Sequence, residues 1–207
     1  MNRNGISMKQ ISGIIWKNIV TICVITILFG IGGMLYAKHK QVTTYESVRN
    51  VMINRSYDGA DANEKVQADI NLGKTYAKII ESKDVAVLAR HSLPKNLKKE
   101  YSATQIASMV NADPLMQTTV IKVSVKSKDP KSSVAIVNAV TNAAAKKLPE
   151  KAGSPVKLSL FSKATVDEAE SHTSPSTKKV TLIGAAVGFL LGMLIAFSVT
   201  TWKHLIK

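Results

Sequence analysis

The chain has 207 residues, 45% of them hydrophobic, and its 28 basic and 14 acidic side chains give a net charge of +14 at pH 7. Once two long apolar runs are set aside, about 140 residues remain, the size of one compact domain rather than several. The single cysteine, Cys23, lies inside the first run, so the remaining domain has no disulfide and no thiol chemistry.

Residues 1–17 carry Arg3, Lys9 and Lys17 and no acid, as the positive flank of a cytoplasmic tail does. Residues 18–37 then pass without a charge. At about 1.5 Å rise per residue, some twenty apolar residues cross the hydrocarbon layer, so this run predicts a transmembrane helix. Trp16 and Tyr36 bracket it as amphipathic rings do at the headgroup level. A retained anchor is favoured over a cleaved signal, because Leu35-Tyr36-Ala37 lacks the small residue three places before a cut. A second uncharged run, 180–202, predicts another span, followed by a short basic tail, 203–207. Two spans put both tails on one side, and their basic character assigns that side to the cytoplasm. Residues 38–179 then form an extracytoplasmic domain, tethered at both ends to the cell membrane. That domain meets no nucleic acid, so its basic excess points to membrane lipid, to acidic glycan, or to solubility alone.

Within the domain, residues 43–53, with Tyr45, Val48, Val51 and Ile53, read as a strand. Tyr57-Asp58-Gly59 supplies a turn, and Asp61 caps a helix over 63–82 with Val66, Ile70, Gly73, Ala77 and Ile80 on one face. Asp84 opens a short helix through Val85, Leu88 and Ala89 that ends near Leu93-Pro94, since proline disfavours helical geometry in the preceding residue. Lys95, Lys98 and Lys99 read as a solvated loop. Ser102 and Gln105 have capping-box spacing and open a helix with Ile106, Met109 and Val110 inward. Thr119, Ile121, Val123 and Val125 alternate with polar neighbours, the clearest strand pattern in the chain. Asp129-Pro130 starts a helix with a stripe of Val134, Val137, Thr141, Ala144 and Leu148, stopped by Pro149. Gly153-Ser154-Pro155 turns into a last strand, 156–163, and the polar residues 164–179, with Pro175, read as an extended connector. The predicted class is α/β (α+β): a small sheet with packed helices between two transmembrane helices.

No catalytic set converges. Asp167, Glu168 and Glu170 lie in the polar connector, with no burial to separate their proton affinities. His39, His91, His172 and His204 match no metal-ligand spacing, and neither a phosphate loop nor a nucleophile elbow occurs. The expectation is therefore no enzyme, no cofactor and no metal. The recurrence Gly184, Gly188, Gly192 does stand out. Glycines four apart open a groove on one helix face, suited to close packing against the first span or a neighbouring subunit.

The basic tail and span are followed by Thr44-Tyr45-Glu46 and by Leu72, Thr75, Tyr76, Ile79, Ile80, Ser82 and Val85 at their spacing. The strand 120–126, Asp129-Pro130 with Ala135 and Asn138, and a proline-bearing connector into a glycine-rich span come next. In that order and spacing, the chain resembles the chain-length determinant (Wzz-type) polysaccharide co-polymerases, and in particular the Gram-positive capsule and exopolysaccharide branch. The resemblance implies a homo-oligomeric membrane scaffold that regulates polysaccharide length and works with polymerase and export machinery. It also implies contact with a separate cytoplasmic tyrosine kinase through the end of the second span, here Trp202, Lys203, His204 and Lys207. The connector has Pro175 alone where the family often has several prolines, and residues 203–207 make a very short tail. The alternative is a two-span sensor whose external domain binds a small ligand; so short a tail speaks against it. An enzyme acting on glycans ranks third.

Overall fold

The computed structural model describes residues 13, 16–55, 57, 59–153 and 156–205, the side chains of 203–205 excepted. In chain order its elements are α1 (Ile19–Lys40), β1 (Val42–Asn54), α2 (Ala62–Asn71), α3 (Gly73–Ile80), α4 (Lys83–Ser92), α5 (Lys95–Glu100) and α6 (Ala103–Met109). There follow β2 (Val110–Pro114), β3 (Val120–Ser127), α7 (Pro130–Ala152), β4 (Lys157–Leu160), a 3-10 turn (Val166–Glu168), β5 (Glu170–Ser174) and α8 (Thr177–Leu205). They form two units, one from Met1–Val42 with Thr173–Lys207 and one from Thr43–His172.

In the first unit α1 and α8 pack on each other. Both are long and apolar enough to cross a membrane. Each hides only a narrow line of residues, Ile22, Gly30 and Ala37 on α1 and Gly188, Gly192 and Ala196 on α8. The outer faces present large side chains such as Leu182, Ile183 and Leu194, an arrangement suited to lipid rather than water. α8 begins at Thr177, so Lys178 and Lys179 belong to its first turn rather than to an extended connector.

The second unit is built on an antiparallel sheet of order β2-β3-β1-β4, with β5 also paired to β1. Tyr45 to Met52 run opposite Ser127 to Val120, and Val51 and Ile53 face Leu160 and Leu158 across the other edge. Alternate residues Ser47, Arg49, Val51 and Ile53 of β1 are buried, and Ile121, Val123 and Val125 of β3 bury the apolar side of its alternation. α7 supplies the opposing layer. Its Asp129 carboxylate accepts from the Ser132 amide at 2.9 Å, and Pro130 occupies the first turn, where a missing N–H breaks no bond. Ile136, Val137, Val140, Ala144 and Leu148 are buried, because α7 packs against β3 and β4 and also against α3 and α4. The Ser102–Gln105 capping box at α6 forms in both directions.

Several elements depart from the sequence expectation. The helix expected over 63–82 breaks at Leu72 into α2 and α3, and Gly73 starts α3 close to Pro114, where an added Cβ would lie 3.1 Å from the proline ring. The cap of α4 is Ser82, whose hydroxyl accepts from the Val85 amide, rather than Asp84. Residues 95–100 are helical, with Leu97 buried, rather than a loop. Val110, expected on the inward face of the helix opened by Ser102, instead begins β2, which follows α6 directly. Pro149 does not stop α7; the helix ends where Gly153 adopts φ +62. Residues 170–174 of the expected connector form a strand on β1, β5. The turn residues Asp58, Ser154 and Pro155 lie outside the described residues.

Candidate functional site

The glycines of α8 face α1. A Cβ built on Gly184 would stand 2.6 Å from the Phe29 carbonyl oxygen, and one on Gly188 would stand 2.7 Å from the Phe29 Cβ and 3.0 Å from the Ile25 oxygen. A methyl group at either position would overlap the first helix, so the two backbones approach as closely as they do only because these side chains are hydrogen atoms. Gly192 lies over Ile22 one turn further on, and Gly33 of α1 reciprocates against the Val180 oxygen. Two polar ties close the ends of this pair: Asn18 Nδ2 donates to Thr200 Oγ1 at 3.1 Å, and Gln41 Nε2 donates to Thr177 Oγ1 at 3.4 Å.

Trp202 is 70% exposed near the end of α8. Lys203 and His204 continue that helix without described side chains, and Lys207, like residues 1–12, lies outside the described residues. Pro175 stands between β5 and α8. The structure does not bring the acidic residues of 164–179 together for chemistry. Glu168 accepts from the Thr165 amide in a capping box, and Glu170 lies 3.7 Å from His172. Among the described residues no group of three or more His, Cys, Asp or Glu side chains is placed to hold a metal.

Three polar clusters in the second unit escaped the sequence reading. Asp69 of α2 is 1% exposed, and its carboxylate accepts from Tyr76 Oη at 2.9 Å, Tyr57 Oη at 3.1 Å and Arg55 Nη2 at 2.8 Å. Burial, reinforced by the carboxylate that each phenol donates to, pushes Tyr57 up to about 12 and raises Tyr76 as well. Arg49 of β1 is 6% exposed and donates to the Phe161 carbonyl, Thr141 Oγ1 and Asn142 Oδ1, each at 3.0 Å. It has no carboxylate partner among the described residues, and burial lowers its proton affinity. On the other face of β1, Glu46 is held by Lys126 and by His172 of β5, both at 3.2 Å. Burial acts to raise the Glu46 carboxyl, but hydrogen bonds from Ser124 and Lys126 and the charges of Lys126 and Lys122 outweigh it, and the net shift is downward. The signal for the first two clusters was a charge at a position that the apolar period assigns to the core: Asp69 four before Gly73 and eight before Ala77, and Arg49 alternating with Ser47, Val51 and Ile53.

Residues 4–89 match the family model described as chain length determinant protein (Wzz). The chain is 30% identical over 177 residues to the capsular polysaccharide biosynthesis protein CpsC of Streptococcus agalactiae, covering 84% of this chain and 74% of that protein. It is 26% identical over 194 residues to the capsular polysaccharide type 8 biosynthesis protein cap8A of Staphylococcus aureus, covering 92% and 82% respectively. With the capsular polysaccharide biosynthesis protein CpsC of Streptococcus pneumoniae it shares 24% identity over 196 residues, 91% of this chain and 80% of that one.

Proposed function

Because this chain belongs to the Wzz-type chain-length determinant family, on its Gram-positive capsular branch, we propose that it is a membrane scaffold for capsular or exopolysaccharide biosynthesis. In this reading it catalyses no step itself; it regulates chain length, polymerisation and export beside the polymerase and export machinery. The observation that carries the reading is the similarity to a capsular polysaccharide biosynthesis protein over 84% of the chain, a span long enough to take in the whole sheet-bearing unit. The two apolar helices support a two-pass membrane protein. The basic tails 1–17 and 203–207 assign both termini to the cytoplasm and the sheet-bearing unit to the outside.

The finer reading is that the protein works as a homo-oligomer and modulates a separate cytoplasmic tyrosine kinase through Trp202, Lys203, His204 and Lys207. Exposure of the Trp202 ring supports that contact surface. Pro175 and Ser176 separate β5 from α8, so little free chain intervenes between the sheet and the helix that carries the contact.

Deleting the gene and sizing the surface polysaccharide tests the role: a changed amount or length distribution is expected, and an unchanged one overturns it. Removing residues 203–207 and measuring phosphotyrosine on the kinase tests the contact. Loss of phosphotyrosine is expected; full retention removes the kinase role from this end of the chain.

A further inference from the structure

A groove of about 360 Å³ lies between α4 and α7, lined by Leu88, His91, Ser92, Asn142, Ala143 and Lys146. Leu88 and the buried Ala143 give it an apolar floor. Its polar side chains are an imidazole, a hydroxyl, an amide and an ammonium, and among the described residues no carboxylate lines it. Asn142 Oδ1 accepts from the buried Arg49, which holds the amide oxygen inward. The Ser92 hydroxyl donates to the Ala89 carbonyl, leaving its oxygen to accept. Along α7, Lys147 and Lys151 are paired with Glu150 and Asp84, whereas Lys146 forms no ion pair among the described residues.

The buried guanidinium behind the groove matters most. Arg49 is 6% exposed and touches only neutral acceptors, so among the described residues no anion compensates its charge. A buried cation without a counter-charge raises the positive potential around it, and the Asn142 side chain that lines the groove is hydrogen-bonded directly to that cation. Lys146 adds to this from the rim. An anion is therefore the favoured occupant, and the hydroxyl and amide beside an apolar floor suit a group that also carries hydroxyls over an aliphatic ring.

We propose that this groove holds one carboxylate-bearing sugar unit of an acidic glycan, its carboxylate taken by Lys146 and His91 and its hydroxyls by Asn142 and Ser92. The glycan as occupant rests on the proposed function; the preference for an anion rests on Arg49 and the lining alone.

The test titrates the full-length protein, in nanodiscs of zwitterionic lipid, with D-glucuronate, glucose and acetate, and reads affinity by calorimetry and the His91 ring proton by NMR. Saturable glucuronate binding is expected, with glucose and acetate each far weaker. Lys146→Gln, a surface change, should weaken glucuronate by about fivefold or more through loss of a charge-assisted hydrogen bond. His91→Gln provides a second variant that leaves the core intact. The proposal is overturned by the absence of saturable binding, by acetate or glucose binding as well as glucuronate, or by unchanged affinity in both variants. If glucuronate fails to bind while gene deletion still alters polymer length, the groove assignment falls and the scaffold role stands. If glucuronate binds as described but deletion leaves the polymer unchanged, the scaffold role falls and the anionic-sugar groove stands.

Discussion

The two units of this protein are held together by opposite means. α1 and α8 meet where side chains are missing, at Gly184, Gly188 and Gly33, and backbone atoms touch backbone atoms. The sheet-bearing unit is held where side chains are large and, at two places, charged: Ile121, Ile136 and Leu148 fill the core, while Asp69 and Arg49 are buried within hydrogen-bonded clusters. The difference follows from the solvent each surface leaves. Burying a methyl in water-facing structure gains hydrophobic free energy, whereas lipid is as apolar as leucine, so a helix pair gains only from close contact.

That contrast is broken most sharply at Asp69. Asp69→Ala leaves two phenols and the Arg55 guanidinium without their acceptor, and a loss of about 3–5 kcal/mol is expected in urea unfolding of the sheet-bearing unit followed by tyrosine fluorescence. The yield of an engineered cysteine crosslink between positions 18 and 200, in a Cys23→Ala background, should not change. Ile136→Ala opens a cavity at a fully buried position and should cost about 3 kcal/mol by the same measurement. Gly188→Ile reverses the pattern. Overlap with Phe29 should destabilise the helix pair by about 1–3 kcal/mol and reduce the 18–200 crosslink, with the urea midpoint of the other unit unmoved.

Alkaline pH sharpens the comparison without a mutation. Tyr57 is raised to about 12 and Tyr76 is raised too, so both stay neutral in the folded chain at pH values where the unfolded phenols, at about 10, already ionise. The stabilisation from Tyr57 is complete below about pH 10 and is lost as the pH climbs to about 12, with Tyr76 acting in the same direction, visible as a falling urea midpoint and late phenolate absorbance. The smallest effect is expected at Glu46. Glu46→Gln weakens ties to Lys126 and His172, costs about 0.5 kcal/mol or less, and should register mainly as faster amide exchange in β5.

What the sequence revealed divides along the same physical line. The apolar runs, the Ser102–Gln105 box, the Asp129-Pro130 start and the alternation of Ile121, Val123 and Val125 were legible because each is a local pattern tied to a local geometry. β5 was not, since all five of its residues are exposed and no alternation marks it; its pairing with β1 is a long-range event. β2 was hidden by Asn111, Asp113 and Pro114, residues that favour turns and that tolerate a strand here because β2 lies at the sheet edge. α5 has a single buried apolar residue, Leu97, too few for a period. Of the residues proposed for function, the glycine recurrence was readable as a motif, but Arg49, Asp69 and the α4–α7 groove depend on partners 7 to 112 positions away in the chain.

The glycine face of α8 also sets a valence. In α8 the glycines four apart mark the stripe along which a neighbour's backbone can come this near, and that stripe is already occupied by α1 of the same chain. A second copy or another membrane protein arriving against α8 within the bilayer would meet Leu182, Ile183, Leu190 and Leu194 instead, a knobbed surface that admits neighbours only at a larger spacing. Each chain therefore enters any larger array as a prejoined two-helix bar, and whatever α8 touches next within the bilayer it touches by bulk rather than by intimacy.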